Sequence, residues 1–179
     1  MDGKFIFKVK RDEKGRTVRW KVRYVVKGYS AIYGVDYTET TALTMQMETF
    51  RAVAHITAVC GWVLRQVDIV TTFLHGKLEP WEEVYMKQPK GFEESGLEDY
   101  IWELQKGLYG LPQGSRVWNK AMNKGMSDIG FARIPCEYCL YSRDTESGSV
   151  LTGIHVDDFF VAASDLLQMS TFKAELYGR

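Results

Sequence analysis

The sequence predicts a mixed α+β chain built on antiparallel strands. Two pairs of β-rich runs are each joined by a short polar turn, at residues 4–27 and 150–163. Three other stretches carry helical spacing or capping signals, at 47–60, 115–129 and from 165 onward. No internal repeat, low-complexity tract or Pro/Gly/Ser linker divides the 179 residues into independent domains. Hydrophobic residues make up 45% and the formal net charge is zero, which excludes disorder along the whole chain.

The elements follow in order. Residues 4–9 and 17–27 are rich in Phe, Ile, Val, Tyr and Trp, and Arg11-Asp12-Glu13-Lys14-Gly15-Arg16 lies between them. This is the pattern of a β-hairpin, with Lys21 and Arg23 on one face of its second strand. Residues 28–46 read as a loop. Met47, Phe50, Val53, Ala54 and Ala58 recur near helical spacing, and Gly61 ends that helix. Residues 62–70 read as a strand carrying Asp68 within an apolar stretch, followed by a short turn up to Gly76. Residues 84–86 and 100–104 are two further strands flanking an acidic loop. A helix is expected over Ser115–Ile129, ended by Gly130, then a strand over 139–143. Residues 150–156 and 159–163 form a second hairpin with Asp157 and Asp158 at its tip. Ser164 or Asp165 caps the last helix.

Charge is unevenly spread. Residues 1–28 hold ten Lys/Arg against three acids, a net +7, so the remainder carries −7. A basic end on an acidic body suits a polyanion partner, and it equally suits a solvated hairpin kept soluble by its cations. Three cysteines are too few for a disulfide scaffold and point to a reducing compartment. No apolar run approaches the ~20 residues that span a bilayer. The N-terminal residues show no secretory pattern, so an intracellular, cytoplasmic location is expected.

The carboxylates carry the chemistry. Adjacent Asp157 and Asp158 suit an ordinary turn, yet two neighbouring charges repel unless a cation offsets them. Asp68 in its apolar strand looks buried and needs a partner or a metal. Hard divalent ions take such oxygen ligands, and a pair of them catalyses in-line nucleotidyl transfer. Other signals read more plainly. Cys136 and Cys139 are taken as ordinary cysteines at a strand start, Trp118 as a packing residue, and the acids 79, 82, 83, 93, 94, 98 and 99 as solvated loops.

Several tracts resemble the reverse transcriptase of copia-type LTR retrotransposons. They are Lys21-Val22-Arg23-Tyr24-Val25-Val26-Lys27-Gly28-Tyr29, Tyr33-Gly34-Val35-Asp36-Tyr37-Thr38-Glu39-Thr40, Gln66-Val67-Asp68-Ile69-Val70-Thr71-Thr72-Phe73-Leu74-His75-Gly76 and Val84-Tyr85-Met86-Lys87-Gln88-Pro89-Lys90-Gly91-Phe92. Leu108-Tyr109-Gly110-Leu111-Pro112-Gln113, Arg116-Val117-Trp118-Asn119, Cys139-Leu140-Tyr141 and His155-Val156-Asp157-Asp158 follow in the family's order and spacing. The resemblance implies a fingers-and-palm polymerase fold with an antiparallel palm sheet, truncated before the thumb. Residues 1–46 would be mainly fingers and 47–179 mainly palm. It implies that Asp68, Asp157 and Asp158 are the catalytic, metal-binding aspartates, served by two Mg²⁺ ions, with Mn²⁺ as a substitute. Lys21, Arg23, Phe73 and Gln113 would bind the deoxynucleoside triphosphate, Phe73 as the aromatic gate against a ribose 2′-hydroxyl. His155 would lie near the primer end. The implied partners are an RNA or DNA template-primer, deoxynucleotides and an intact element's polyprotein, the last in a virus-like particle.

The sequence also departs from the family pattern. His155 stands where Tyr is usual. Thr41-Ala42-Leu43-Thr44 and Gln46 replace a Phe-Ala-Pro-Val segment and an arginine, His75 replaces Asn, and Gly114-Ser115 replaces a small residue followed by Pro. These changes keep a second reading open: a catalytically inactive relic that at most binds nucleic acid through residues 1–28. A third reading is an unrelated α+β binding domain whose aspartates are only turn residues.

Overall fold

The computed structural model describes residues 1–178. They fall into two compact units. The first unit is not the N-terminal segment alone: residues Phe73–Trp118 join Met1–Thr41. The second comprises Ala42–Thr72 and the described residues from Asn119 onward.

The first unit begins with strands β1 (Gly3–Arg11) and β2 (Thr17–Val26), paired antiparallel as a two-stranded ribbon. Asp12 closes its turn. The carboxylate accepts the Lys14 and Arg16 N–H groups at 3.0 and 2.9 Å and the Arg16 Nε at 2.7 Å. The Arg16 N–H is the main reason that its pKa is lowered. The register sets Lys8 opposite Lys21, Ile6 opposite Arg23 and Lys10 opposite Arg19, so one ribbon face is basic. Phe5 with Tyr24, Phe7 with Val22 and Val9 with Trp20 share the other face. Strands β4 (Tyr85–Lys87) and β5 (Ile101–Glu103) form a second small ribbon. The core joining these parts is Val26, Val84, Met86 and Leu111, with Tyr24, Leu104 and Leu108 against it.

The acidic loop between residues 79 and 103 is not solvated throughout. Glu82 forms a largely buried ion pair with Arg116. Burial of both charges is tolerable only because each neutralises the other and Arg116 Nε also donates to the Glu39 carbonyl, at 3.1 Å.

The second unit is a five-stranded antiparallel sheet with helices. Its strands are β3 (Val63–Asp68), β6 (Ala132–Ile134), β7 (Glu137–Thr145), β8 (Gly148–His155) and β9 (Asp158–Ala163), in the order β3-β9-β8-β7-β6. Every neighbouring pair is antiparallel. Helix α1 (Met47–Cys60) has the expected span, ending at Gly61 in the left-handed region with φ +67°. Its Val53 packs with Leu140 and Ala162, and Phe50 stacks 4.2 Å from Phe160. Helix α2 (Gly114–Asp128) begins in the first unit and continues in the second. Helix α3 (Leu166–Tyr177) is capped by Asp165, whose carboxylate accepts the Gln168 N–H at 2.8 Å. Its Phe172 is fully buried, edge-on to Phe131.

Three sequence expectations need correction. Strand β6 has no sequence signature, because its three residues are too few to show a period. The turn of the second hairpin is Val156-Asp157, since His155 pairs with Asp158; Asp158 therefore opens a strand instead of sitting at the tip. Asp68 is exposed, because it is the last residue of β3 and the apolar residues around it alternate away from its face.

Candidate functional site

The acidic half lies in the second unit. Strand register places Asp68 directly opposite Asp158, and Asp158 directly opposite His155 on the other side. Opposed residues of antiparallel strands share a face, so His155, Asp158 and Asp68 form one row across three strands. Gln66, two residues before Asp68 on the same face, donates its Nε2 to Asp158 Oδ1 at 2.8 Å. Asp157 is exposed in the turn, and its carbonyl accepts the Ile69 N–H at 3.0 Å. That bond extends the β3 pairing past Asp68 and ties its exit to the hairpin.

The turn itself is unusual. Val156 has φ +58°, and Asp157 does not share this sign. A positive φ at the first position of a two-residue hairpin turn favours Gly. A β-branched residue there is strained, by about 1–2 kcal/mol. His155, Asp158 and Gln66 also line a cavity of about 290 Å³ whose walls include Met45, Phe50, Phe159 and Phe160.

Whether a divalent cation fits can be judged from the donors. Two carboxylates on opposed strand positions, with a third one residue away, supply the hard oxygen atoms that Mg²⁺ takes. Among the described residues, however, no three His, Cys, Asp or Glu side chains are already gathered around one point. The donor chemistry fits; the side chains are adjoining without being assembled into a cage.

The other expected residues lie in the first unit. Arg23 and Lys21 share the basic face of the ribbon, as alternation predicts, with Lys21 nearer the turn. The Arg23 guanidinium lies 5.0 Å from the centre of the Tyr109 ring. Phe73 meets the same ring edge-on, at 5.0 Å and 84°. Phe73 also reaches the start of α2, where a Cβ added to Gly114 would touch its ring at 3.6 Å. Gln113, immediately before that helix, is fully buried. Its Nε2 donates to the Asp36 carbonyl at 3.1 Å, while Oε1 has no hydrogen-bond partner. Thus Arg23, Phe73 and Gln113 belong to one neighbourhood, and Lys21 stands further along the ribbon.

Sequence reasoning missed Tyr109 and Gln66 as members of these two clusters. Each lay inside a recognised tract. The usable signal for Tyr109 was an aromatic residue close to two glycines, Gly107 and Gly110. Cys139, by contrast, is buried, and burial pushes its thiol up to about 11, while Cys136 is exposed.

The family model for reverse transcriptase (RNA-dependent DNA polymerase) matches residues 1–179. This chain belongs to that reverse transcriptase family. It is 33% identical over 97% of its length to the retrovirus-related Pol polyprotein from transposon TNT 1-94 of Nicotiana tabacum, covering 13% of that protein. It is 32% identical over 90% of its length to the Pol polyprotein from transposon RE2 of Arabidopsis thaliana, covering 11% of it. A putative transposon Ty5-1 protein of Saccharomyces cerevisiae is 39% identical over 62% of the chain, which covers 35% of that protein. No solved structure matches. The chain thus spans a small part of the length of these Pol polyproteins, and no helix among its described residues is long and apolar enough to cross a membrane.

Proposed function

We propose that the chain is the fingers-and-palm part of a copia-type reverse transcriptase, adding deoxynucleotides to a primer on an RNA or DNA template. The observation that carries this reading is the register of the second unit. It sets Asp68 opposite Asp158 and leaves Asp157 in the adjoining turn, within a chain of the reverse transcriptase family. In this reading the five-stranded sheet has the palm's role and the basic ribbon has the fingers' role.

Asp68, Asp157 and Asp158 would hold Mg²⁺ or Mn²⁺. Bound there, such ions would supply positive charge to the attacking and leaving oxygens of nucleotidyl transfer. The protein's own residues do the rest. Gln66 fixes the Asp158 carboxylate, so that one oxygen stays oriented. Arg23 offers a cation to the triphosphate. Phe73 presents a steric wall to a 2′-hydroxyl, and Gln113 supplies an amide whose carbonyl oxygen is still without a donor. His155 shares the face of the aspartates and would lie beside the primer end.

Primer extension tests the reading. The purified chain is given a primed homopolymer RNA, the matching deoxynucleotide and Mg²⁺ or Mn²⁺, beside an Asp157→Asn variant. Extension by the parent and not by the variant is expected. No extension by folded protein, with salt-sensitive oligonucleotide binding retained, would favour the second reading, an inactive relic that only binds nucleic acid. His155 at the position where the family pattern has tyrosine supports that alternative.

A further inference from the structure

We infer that Tyr109 is a positioning residue of the nucleotide site, setting the gate Phe73 and the cation Arg23 through one shared ring. The inference rests on the nucleotide-binding reading above and names a residue which that reading does not use.

The geometry is specific. One aromatic ring has Arg23 over it at 5.0 Å and Phe73 against it edge-on at 5.0 Å. An edge-on contact fixes the direction of Phe73 as well as its distance, because ring quadrupoles favour that orientation. A cation held over a ring keeps its N–H donors available to an anion, which a salt bridge would consume. Tyr109 therefore orders both groups without blocking either.

The backbone holds the ring where it is. The Tyr109 carbonyl accepts the Val26 N–H at 2.8 Å, three residues beyond Arg23 on the same strand. Gly110 has φ +93°, and a Cβ there would collide with the Val26 carbonyl; one at Gly28 would collide with the Gly110 carbonyl. On the other side, the Gly107 N–H donates to the Gly76 carbonyl at 2.8 Å, and a Cβ at Gly107 would strike the Phe73 carbonyl. Two close backbone approaches thus clamp the segment that carries Tyr109, one to the strand of Arg23 and one to the chain of Phe73. Such contacts require glycine and leave the ring little freedom.

Loss of the ring should act on both groups together. Tyr109→Leu should lower the preference for deoxynucleotide over ribonucleotide about tenfold, the scale of a lost apolar wall. It should also weaken nucleotide binding about threefold, the scale of a lost exposed cation–π contact. Tyr109→Phe keeps the ring and should behave as the parent.

The test is equilibrium binding of dATP and of ATP, with Mg²⁺, to the chain on a template-primer ending in a dideoxynucleotide. Binding is then read without incorporation. The proteins are the parent, Tyr109→Phe, Tyr109→Leu, Arg23→Met and the Arg23→Met/Tyr109→Leu double variant. Support is loss of preference and affinity in Tyr109→Leu, both retained in Tyr109→Phe, and a double variant no weaker for dATP than Tyr109→Leu alone. Unchanged preference in Tyr109→Leu overturns the inference while the nucleotide site stands. Equal loss in Tyr109→Phe also overturns it, by assigning the effect to the hydroxyl. If the parent binds neither nucleotide, the polymerase reading falls and this inference with it. Should Tyr109→Leu not fold, a folded Tyr109→Met variant decides by the same criteria: unchanged preference and affinity overturn the inference, and loss of both supports it.

Discussion

The two long hairpins look alike as sequence and differ completely as structure. Each is a β-rich run, a short polar turn and a second β-rich run. In the second unit, β8 and β9 sit inside a five-stranded sheet, and Ile154, Phe159, Val161, Ala162 and Ala163 are all buried. In the first unit, β1 and β2 pair only with each other, and Phe7 and Trp20 are each 73% exposed. Alternation decides which residues share a face; the presence of neighbouring strands decides whether that face is core or surface. The embedded hairpin can hold carboxylates in register, whereas the standing ribbon can present cations along a length of open strand. A rigid scaffold suits the first task and accessible charge suits the second.

The largest test of this contrast is truncation of an aromatic residue in each unit. Phe172→Ala should cost roughly 4 kcal/mol, because a fully buried ring is lost and a cavity remains. Trp20→Ala, equally drastic in volume, should change stability by less than about 0.5 kcal/mol. Urea unfolding of both variants measures the difference, and similar midpoints would erase the contrast.

The second test shows that the first unit also has a fixed centre. Glu82→Ala strands the buried Arg116 guanidinium and should cost roughly 3 kcal/mol. Glu82→Gln, which keeps an acceptor, should cost less. Hydrogen exchange should rise in residues 36–40, where Arg116 and Gln113 hold the carbonyls of Glu39 and Asp36, with little change at the ribbon tip.

A smaller effect sharpens the account of the embedded turn. Val156→Gly should raise stability by about 1 kcal/mol, by relieving the φ +58° strain against the greater entropy of glycine. A loss of stability would mean that the Val156 side chain contributes packing worth more than the strain.

The smallest expected effect is pH-dependent. Hydrogen bonding, first from the Gln168 N–H and then from the Ser164 hydroxyl, lowers the Asp165 pKa below the ordinary 3.8. A lowered folded value means that this cap's contribution is complete above 3.8 and is lost as pH falls through the folded value. The acid-side decline in thermal midpoint should be shallower in Asp165→Asn, an equally good cap that does not titrate there. The ribbon turn offers the parallel case, since Asp12 is lowered by the Arg16 N–H, but its exposed site should leave the global midpoint unmoved.

Much of the architecture was legible because it is local. Spacing alone marks α1 and its end at Gly61, where only a left-handed residue closes the helix. Alternation places Lys21 and Arg23 on one face, and Asp165 announces α3. The family tracts likewise point to the three aspartates, Phe73 and Gln113, since their order and spacing survive in the linear chain.

Register and partnership are decided at longer range. A one-residue shift in the turn moves Asp158 from the tip into β9, opposite Asp68, and turn composition cannot distinguish the two placements. The burial of Glu82 depends on Arg116, 34 residues away, and a charged loop gives no local sign of it. Tyr109 becomes the shared neighbour of Arg23 and Phe73 only because glycines allow three distant backbone segments to touch. The sequence by itself determined periodicity, capping and the identity of the charged groups, because these act over a few residues. Only the tertiary structure decided which charges meet, which faces are covered and which ring lies against both Arg23 and Phe73, because those contacts join residues that the chain keeps far apart.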